Sequence, residues 1–369
     1  MTIYNYLEII FLMLFFIEMN GVQTDKRRNK FFYFEAFMVF AILAFRNCNV
    51  GADSLLYTSY YTNPSTYRGE MPIAFEAFCN LLKLISNKWQ FFIFMTSCLA
   101  VFPFFYCVKK YAKYITLPFL TFLLCWKQLW LLETPIKQTT AIAFFFAGYL
   151  MWKTRGEKKN NLRDIISIAL IIASFFTHST LLMYTPFIIA LEYVNFTKKW
   201  AIITILSTVG LASAISTFIP AVYDTLYTYS MAYEIFSNVG NYTMDIEYGL
   251  KEYDIKLFLM PSLYSSALIY MCDKDEINTI QAKYLVVGIV IFNLFASFPN
   301  IPRVVLYFTL IGSSLCPKEF RLYYKGIKRQ IFFISVFILW IAFLYVHYKL
   351  CSTFVLEMEA DYLPYSFWL

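Results

Sequence analysis

The sequence predicts an all-α fold, a polytopic bundle of transmembrane helices, and three observations predict it. Of the 369 residues, 60% are apolar and 15% charged, against about 45–50% and 25% in soluble domains. The apolar residues gather into stretches near the roughly 20 residues that a helix needs to cross hydrocarbon, and mean hydropathy is +0.56. Aromatic residues make up 21%; Phe suits lipid-facing surfaces, whereas Tyr and Trp favour the interfaces. A soluble core hiding this much apolar surface needs many more polar residues around it.

Taken in order, spans are expected at 3–20, 31–48, 89–108, 114–132, 134–152, 165–177, 179–194, 200–219, 256–272, 284–298, 303–316 and 331–349, about 11–12 in all. The first stretch has no basic leader and no small-residue cleavage site, so it reads as a retained span. Lys26, Arg27, Arg28 and Lys30 lie between the first two spans, which places that loop inside and the N-terminus outside. Alternation then puts Lys109/Lys110/Lys113, Lys153/Arg155/Lys158/Lys159/Arg163, Lys198/Lys199 and Lys318/Arg321/Lys325/Lys328/Arg329 inside too, and the C-terminus outside. Residues 165–194 as one long helix would export the last of these clusters. The charge count therefore predicts a break near Thr177-His178-Ser179, and a broken helix at membrane depth needs protein or a water-filled cavity around it.

Two polar segments, 49–88 and 220–255, are expected outside. Asp53 offers an N-cap to a helix carrying Leu55, Leu56, Ser59 and Tyr60. Phe75–Ile85 is amphipathic and is expected to lie along the interface. The 220–255 segment interleaves tyrosines such as Tyr227 and Tyr242 with carboxylates such as Asp245 and Glu252. It reads either as a cover for carbohydrate or as a solvated loop with interfacial aromatics. No internal repeat or soluble domain is visible, so 1–369 reads as one membrane domain.

The net charge of +7 consists of short basic clusters between spans, which are topology signals and not a nucleic-acid surface. The eight cysteines show no CxxC spacing. Cys98, Cys107, Cys125 and Cys316 fall within spans, where a thiol behaves as a small hydrophobe. With two histidines and no cysteine cluster, neither a metal site nor a cofactor is expected.

Ionisable residues within spans mark function by default. Here Arg46, Lys127, Glu133, Lys137, His178 and Arg303 fall at the outer ends of spans. Such a convergence suits an anion, with phosphate the natural candidate. Blander readings stand beside it. Glu133 and Lys137, four apart, can pair on one helix face. Arg46 and Arg303 can snorkel to the interface, Asp53 can be an N-cap only, and His178 an interior hydrogen-bonded histidine. Glu8, Glu18 and Glu35 read as anchors or pairing residues.

Several stretches resemble one family. Phe45-Arg46 followed by Val50-Gly51-Ala52-Asp53 and Tyr57 resembles the Arg…Val-Gly-x-Asp…Tyr signature of EpsG-type proteins, relatives of the Wzy polymerases of bacterial exopolysaccharide and O-antigen synthesis. Ile136-Lys137-Gln138 through Ala141 resembles their Ile-Arg-Gln-x-x-Ala segment, with Lys137 where the family carries Arg. Phe176-Thr177-His178-Ser179-Thr180 resembles their Phe-His-x-Ser/Thr segment, and Arg303 through Phe308 their late Arg followed by an aromatic. A lysine there keeps a point charge and loses the bidentate fork.

The resemblance implies a membrane-embedded lipid-sugar glycosyltransferase of the bacterial plasma membrane, acting at the outer leaflet. It implies transfer of a growing glycan from undecaprenyl pyrophosphate to a sugar hydroxyl of an incoming lipid-linked repeat unit. Its partners are then lipid-linked oligosaccharides and membrane lipids, and a chain-length regulator is expected for the family. On this reading Arg46, Lys137 and Arg303 meet the pyrophosphates, Gln138 and Tyr57 position substrate, and Asp53 or His178 serves the acceptor hydroxyl. A flippase for lipid-linked sugars would instead line a midplane path with charge, usually with repeated halves. A glycan-modifying acyltransferase would also place a histidine in the membrane, without the resemblance. Sugar identity and linkage are not legible in these residues.

Overall fold

A computed structural model describes residues 3–51, 53–64, 71–126, 128–153, 161–212, 214–215, 255–295 and 301–357. The expectations for the 220–255 segment before Ile255, and for Lys127, lie outside the described residues. The protein is an all-helical membrane bundle, and no strand occurs among the described residues. Among the described residues, three helices are long and apolar enough to cross a membrane: Ile3–Asn20, Trp89–Tyr111 and Arg329–Val346. The helices group into two compact units, one of Met1–Val194 with Trp340–Leu369 and one of Asn195–Leu339.

The first unit contains α1 (Ile3–Asn20), α2 (Asp25–Ala44), α3 (Ser54–Thr62), α4 (Ile73–Lys83), α5 (Trp89–Tyr111), α6 (Thr116–Leu120), α7 (Gln128–Glu133), α8 (Ile136–Lys153), α9 (Asn161–Thr177) and α10 (Leu181–Tyr193). Charged side chains stitch these helix ends together. Thr24 caps α2 by accepting from the Arg27 N–H at 3.2 Å. Arg28 donates to the carbonyls of Ala112 at 2.8 Å and of Lys109 at the C-terminal end of α5, where a cation meets the negative end of the helix dipole. Glu18 does the converse at α6, accepting from the Ile115 and Thr116 N–H groups at 2.8 and 2.9 Å. Glu35 accepts from the Thr116 hydroxyl at 2.6 Å.

The span expected at 114–132 is interrupted. A π turn, Thr121–Cys125, follows α6, and the chain leaves helical pairing before α7. Hydropathy cannot register this, because a π turn alters hydrogen-bond spacing and leaves composition unchanged. A second break, at Thr134-Pro135, separates Glu133, which ends α7, from Lys137, which belongs to α8. The two residues do not share a helix face.

The predicted break at His178 is present, as a short connection between α9 and α10. It reverses the chain. Near the start of α9, Ser167 Oγ donates to the Gly148 carbonyl at 2.7 Å, so α9 runs antiparallel to α8. At the far end of α10, Glu192 pairs with Lys153 at 2.8 Å and accepts from Tyr149. The start of α9 and the end of α10 therefore both lie beside the last turns of α8.

Between α2 and α5, the helices α3 and α4 close on an aromatic core of Tyr57, Tyr61, Phe75, Cys79, Leu82 and Phe92. Tyr61 stacks on Phe92 with centroids 4.7 Å apart, and its hydroxyl donates to the Ser86 carbonyl. Ile73, Leu81, Leu84 and Ile85 are exposed, which leaves an apolar face outward.

The second unit contains α11 (198–212), α12 (Ile255–Met271), α13 (Ile280–Leu294), α14 (Ile301–Gly312) and α15 (Phe320–Lys325). The last helix, α16 (Ile327–Glu357), belongs to this unit up to Leu339. Asn293 on α13 is fully buried and donates to the Ile205 carbonyl, Thr208 Oγ1 and Ser262 Oγ at 3.3, 3.0 and 2.9 Å. Side chains of this kind join helices where lipid offers no hydrophobic driving force. The Glu276 carboxylate accepts from the Asp273 and Lys318 N–H groups at 2.9 and 2.7 Å, tying two connections.

Close approach depends on small residues in both units. A Cβ at Gly148 would stand 2.7 Å from the Ser167 carbonyl oxygen, and one at Gly312 would stand 2.8 Å from Leu285 Cα. At Gly210 a Cβ would meet nothing within 4 Å. Gly148→Ala is therefore expected to cost about 1–3 kcal/mol through overpacking, lowering the melting temperature in detergent. Gly210→Ala should be neutral or stabilise by up to about 1 kcal/mol through helix propensity. Equal melting temperatures for the two variants would contradict the packing described.

Candidate functional site

The site is built on the turn between α2 and α3. Arg46 ends the run from α2 and is only 1% exposed. Its Nε donates to the Val50 carbonyl at 3.3 Å, and its Nη1 to the Leu43 carbonyl and to Ser97 Oγ, the latter at 3.2 Å. Its Nη2 donates to the Glu133 carbonyl at 3.3 Å. Arg46 thus neither snorkels to an interface nor lies open to solvent. As placed, it holds the turn against α5 and the end of α7.

The Glu133 carbonyl is the shared acceptor. It also accepts from Ser54 Oγ at 2.9 Å, and Gly51 packs on it so closely that a Cβ at Gly51 would collide with that oxygen. Gly51 has φ of 99°, a conformation that glycine alone adopts without strain. The glycine of the Val50-Gly51-Ala52-Asp53 segment is thereby required twice, by its backbone angle and by the carbonyl against it.

The Glu133 side chain is fully buried. Its Oε2 accepts from the Tyr4 hydroxyl at 2.8 Å, and its Oε1 has no hydrogen-bond partner. The Arg46 charge acts directly on it, so the nearest compensation for this carboxylate comes from Arg46 and not from Lys137. A buried carboxylate without a partner cation is costly. The sequence marked Glu133 as a charge out of place, but Tyr4, Ser54 and Ser97 carried no signal, because hydroxyls in apolar helices are common.

Asp53 occupies the N-cap position of α3, as expected, yet its side chain makes no cap hydrogen bond. It interacts electrostatically with Lys137 instead. Lys137 stands in the first turn of α8, half-buried, with its ammonium 5.5 Å from the centroid of the Tyr57 ring, within cation–π range. The same ammonium acts on His178, in the connection after α9. Gln138 follows Lys137 and is buried at 5% exposure. Three segments distant in sequence therefore meet around one lysine: Asp53 and Tyr57, Lys137 and Gln138, and His178. Arg303, half-buried near the start of α14, belongs to the second unit.

Thr180 holds the Ser/Thr position of the stretch that resembles Phe-His-x-Ser/Thr. Its Oγ1 lies 2.6 Å from His178 Nδ1. Among the described residues no group of His, Cys, Asp and Glu side chains is placed to hold a metal ion. The arrangement offers a cation for an anionic group, a carboxylate beside it, an imidazole with one nitrogen engaged, and an aromatic face. Those are parts for binding a phosphorylated ligand and handling a proton at a hydroxyl.

Compared with known proteins, the chain matches a model of the EpsG family over residues 29–367. No curated protein and no solved structure matches it.

The latch around the Glu133 carbonyl should be measurable. Arg46→Ala removes the guanidinium's hydrogen bonds to the Leu43, Val50 and Glu133 carbonyls and to Ser97 and is expected to cost about 2–4 kcal/mol through the buried groups left unsatisfied. Ser54→Ala removes one hydrogen bond and should cost about 1 kcal/mol. Melting of the purified variants in detergent is expected to rank wild type above Ser54→Ala and Ser54→Ala above Arg46→Ala. An Arg46→Ala protein as stable as wild type would show that the latch carries no stability.

Proposed function

The chain belongs to the EpsG family, which supports a polysaccharide-polymerase type of role, and on that premise we propose a specific reaction. The protein transfers a growing glycan from a polyprenyl pyrophosphate, undecaprenyl pyrophosphate in bacteria, to a sugar hydroxyl of an incoming lipid-linked repeat unit. It does so at the outer leaflet of the plasma membrane, with both termini on that side. The observation that carries this reading is the convergence of Asp53, Tyr57, Lys137 and His178 in one unit.

In the transfer, the acceptor hydroxyl oxygen forms the new bond to the anomeric carbon. The bond from that carbon to the pyrophosphate oxygen breaks, and the pyrophosphate departs with the electron pair. The hydroxyl proton passes to His178. Lys137 neutralises charge developing on the leaving pyrophosphate, a form of electrostatic stabilisation that acts most strongly in a site shielded from water. On this reading His178 is the base, and Asp53 stays paired with Lys137. Tyr57 offers a ring face to a sugar, and Gln138 orients sugar or phosphate. Arg46 acts here by holding the turn that carries Asp53 and Tyr57. The lipid-linked substrates reach the site from the surrounding bilayer.

Lys137→Ala is expected to reduce polymer formation by about 10²-fold or more, whereas Lys137→Arg should retain it, since the family carries arginine there. His178→Ala is expected to abolish long polysaccharide in cells while single repeat units still reach the outer face. The measurement is chain length by gel, together with surface labelling of single units. If single units fail to reach the outer face, the protein is a flippase; if chain length is unchanged in His178→Ala, His178 is not the base.

A further inference from the structure

Helix α4 carries three stripes. Phe75, Cys79 and Leu82 are buried in the core that holds Tyr57, Tyr61 and Phe92. Glu76, Asn80 and Lys83 recur at i, i+4 and i+7, which places them in one polar line along the helix. The Lys83 ammonium stands 5.3 Å from the centroid of the Tyr61 ring. Ile73, Leu81, Leu84 and Ile85, the last two in the turn that follows the helix, are between 64% and 83% exposed. These four large aliphatic side chains lie on the side away from the core.

The packing of α4 sets its height along the bundle. It meets the first turn of α5 through Phe92, and Trp89, which opens α5, packs on the same core. α5 is long and apolar enough to cross a membrane, and tryptophan favours the interface. Phe78 meets Phe144 edge-on with centroids 5.6 Å apart. Phe144 is eight residues after Ile136, the start of α8, or about 12 Å along the axis. α4 thus lies level with the apolar ends of its neighbours and not above them. Its 11 residues make about 16 Å of helix, too short to span roughly 30 Å of hydrocarbon.

We propose that α4 docks flat on the lipid leaflet at which α5 begins, with Ile73, Leu81, Leu84 and Ile85 against acyl chains and Glu76, Asn80 and Lys83 towards water. A helix with an apolar face and a polar line along its length settles in this way at the boundary of headgroups and chains. The partner of the exposed face is bilayer lipid. Phe75 meets the Tyr57 ring with centroids 5.7 Å apart, so α4 stands as a wall between that leaflet and the ring beside Lys137. The docking holds whichever chemistry the site performs.

Full-length protein with a fluorescent amino acid in place of Leu81, of Leu84 or, as the polar-side control, of Asn80 is reconstituted alone into phosphatidylcholine vesicles. All three positions are exposed, so the replacements leave the core intact. Emission is measured with a phosphatidylcholine that carries a nitroxide near the headgroup end of its chain, and with iodide on both sides of the membrane. The reporters at Leu81 and Leu84 are expected to lose most of their emission to the nitroxide lipid and little to iodide, and the reporter at Asn80 the reverse. Iodide quenching at Leu81 and Leu84 overturns the proposal, because the face is then solvated. Protection of both from both quenchers also overturns it, because protein and not lipid then covers the face. Equal lipid quenching at Asn80 and Leu81 means a helix immersed on all sides and rejects the flat docking.

Discussion

The backbone oxygen of Glu133 is the point on which the first unit is assembled. Arg46, Ser54 and the glycine at position 51 all close on it, from a turn 79 residues or more away in sequence. A carbonyl at the end of a helix has no partner within that helix, and in a membrane it cannot turn to water. The turn between α2 and α3 answers that requirement with a guanidinium, a hydroxyl and a residue without a side chain. In doing so it brings Asp53 and Tyr57 to the start of α8, where Lys137 stands.

The chain reversal at His178 brings the third segment. A straight helix through 165–194 would carry His178 past its neighbours at mid-length. Two short helices instead present it at a tip, with α9 locked to α8 through Gly148 and Ser167 and α10 locked through Glu192 and Lys153. The residues before α3 and α10, Asp53 and Thr180, have αR backbones and make no side-chain cap hydrogen bond; Asp53 interacts electrostatically with Lys137, and Thr180 Oγ1 lies 2.6 Å from His178 Nδ1.

Much of this was legible in the sequence because lipid restricts the choices. Composition gave the helical bundle, and the distribution of basic residues gave the break at His178 without any structural information. Asp53 could be placed at a helix start because its neighbours alternate in the right way, although the direction of its side chain could not. The π turn at 121–125 was invisible, since hydropathy does not register helix pitch, and the break at Thr134-Pro135 undid the expected pairing of Glu133 with Lys137. Arg46 was read as a cation near the surface. Its burial depends on carbonyls contributed by α7 and a hydroxyl on α5, and long-range partners of that kind leave no local pattern.

The hydroxyl of Tyr4 gives the first helix a part in this assembly, although α1 lies outside residues 29–367. The carboxylate that it contacts is 129 residues later in the chain. That bond can form only once α7 has been made, so the latch that carries Asp53 and Tyr57 closes on a residue of the first helix as well as on the turn after the second.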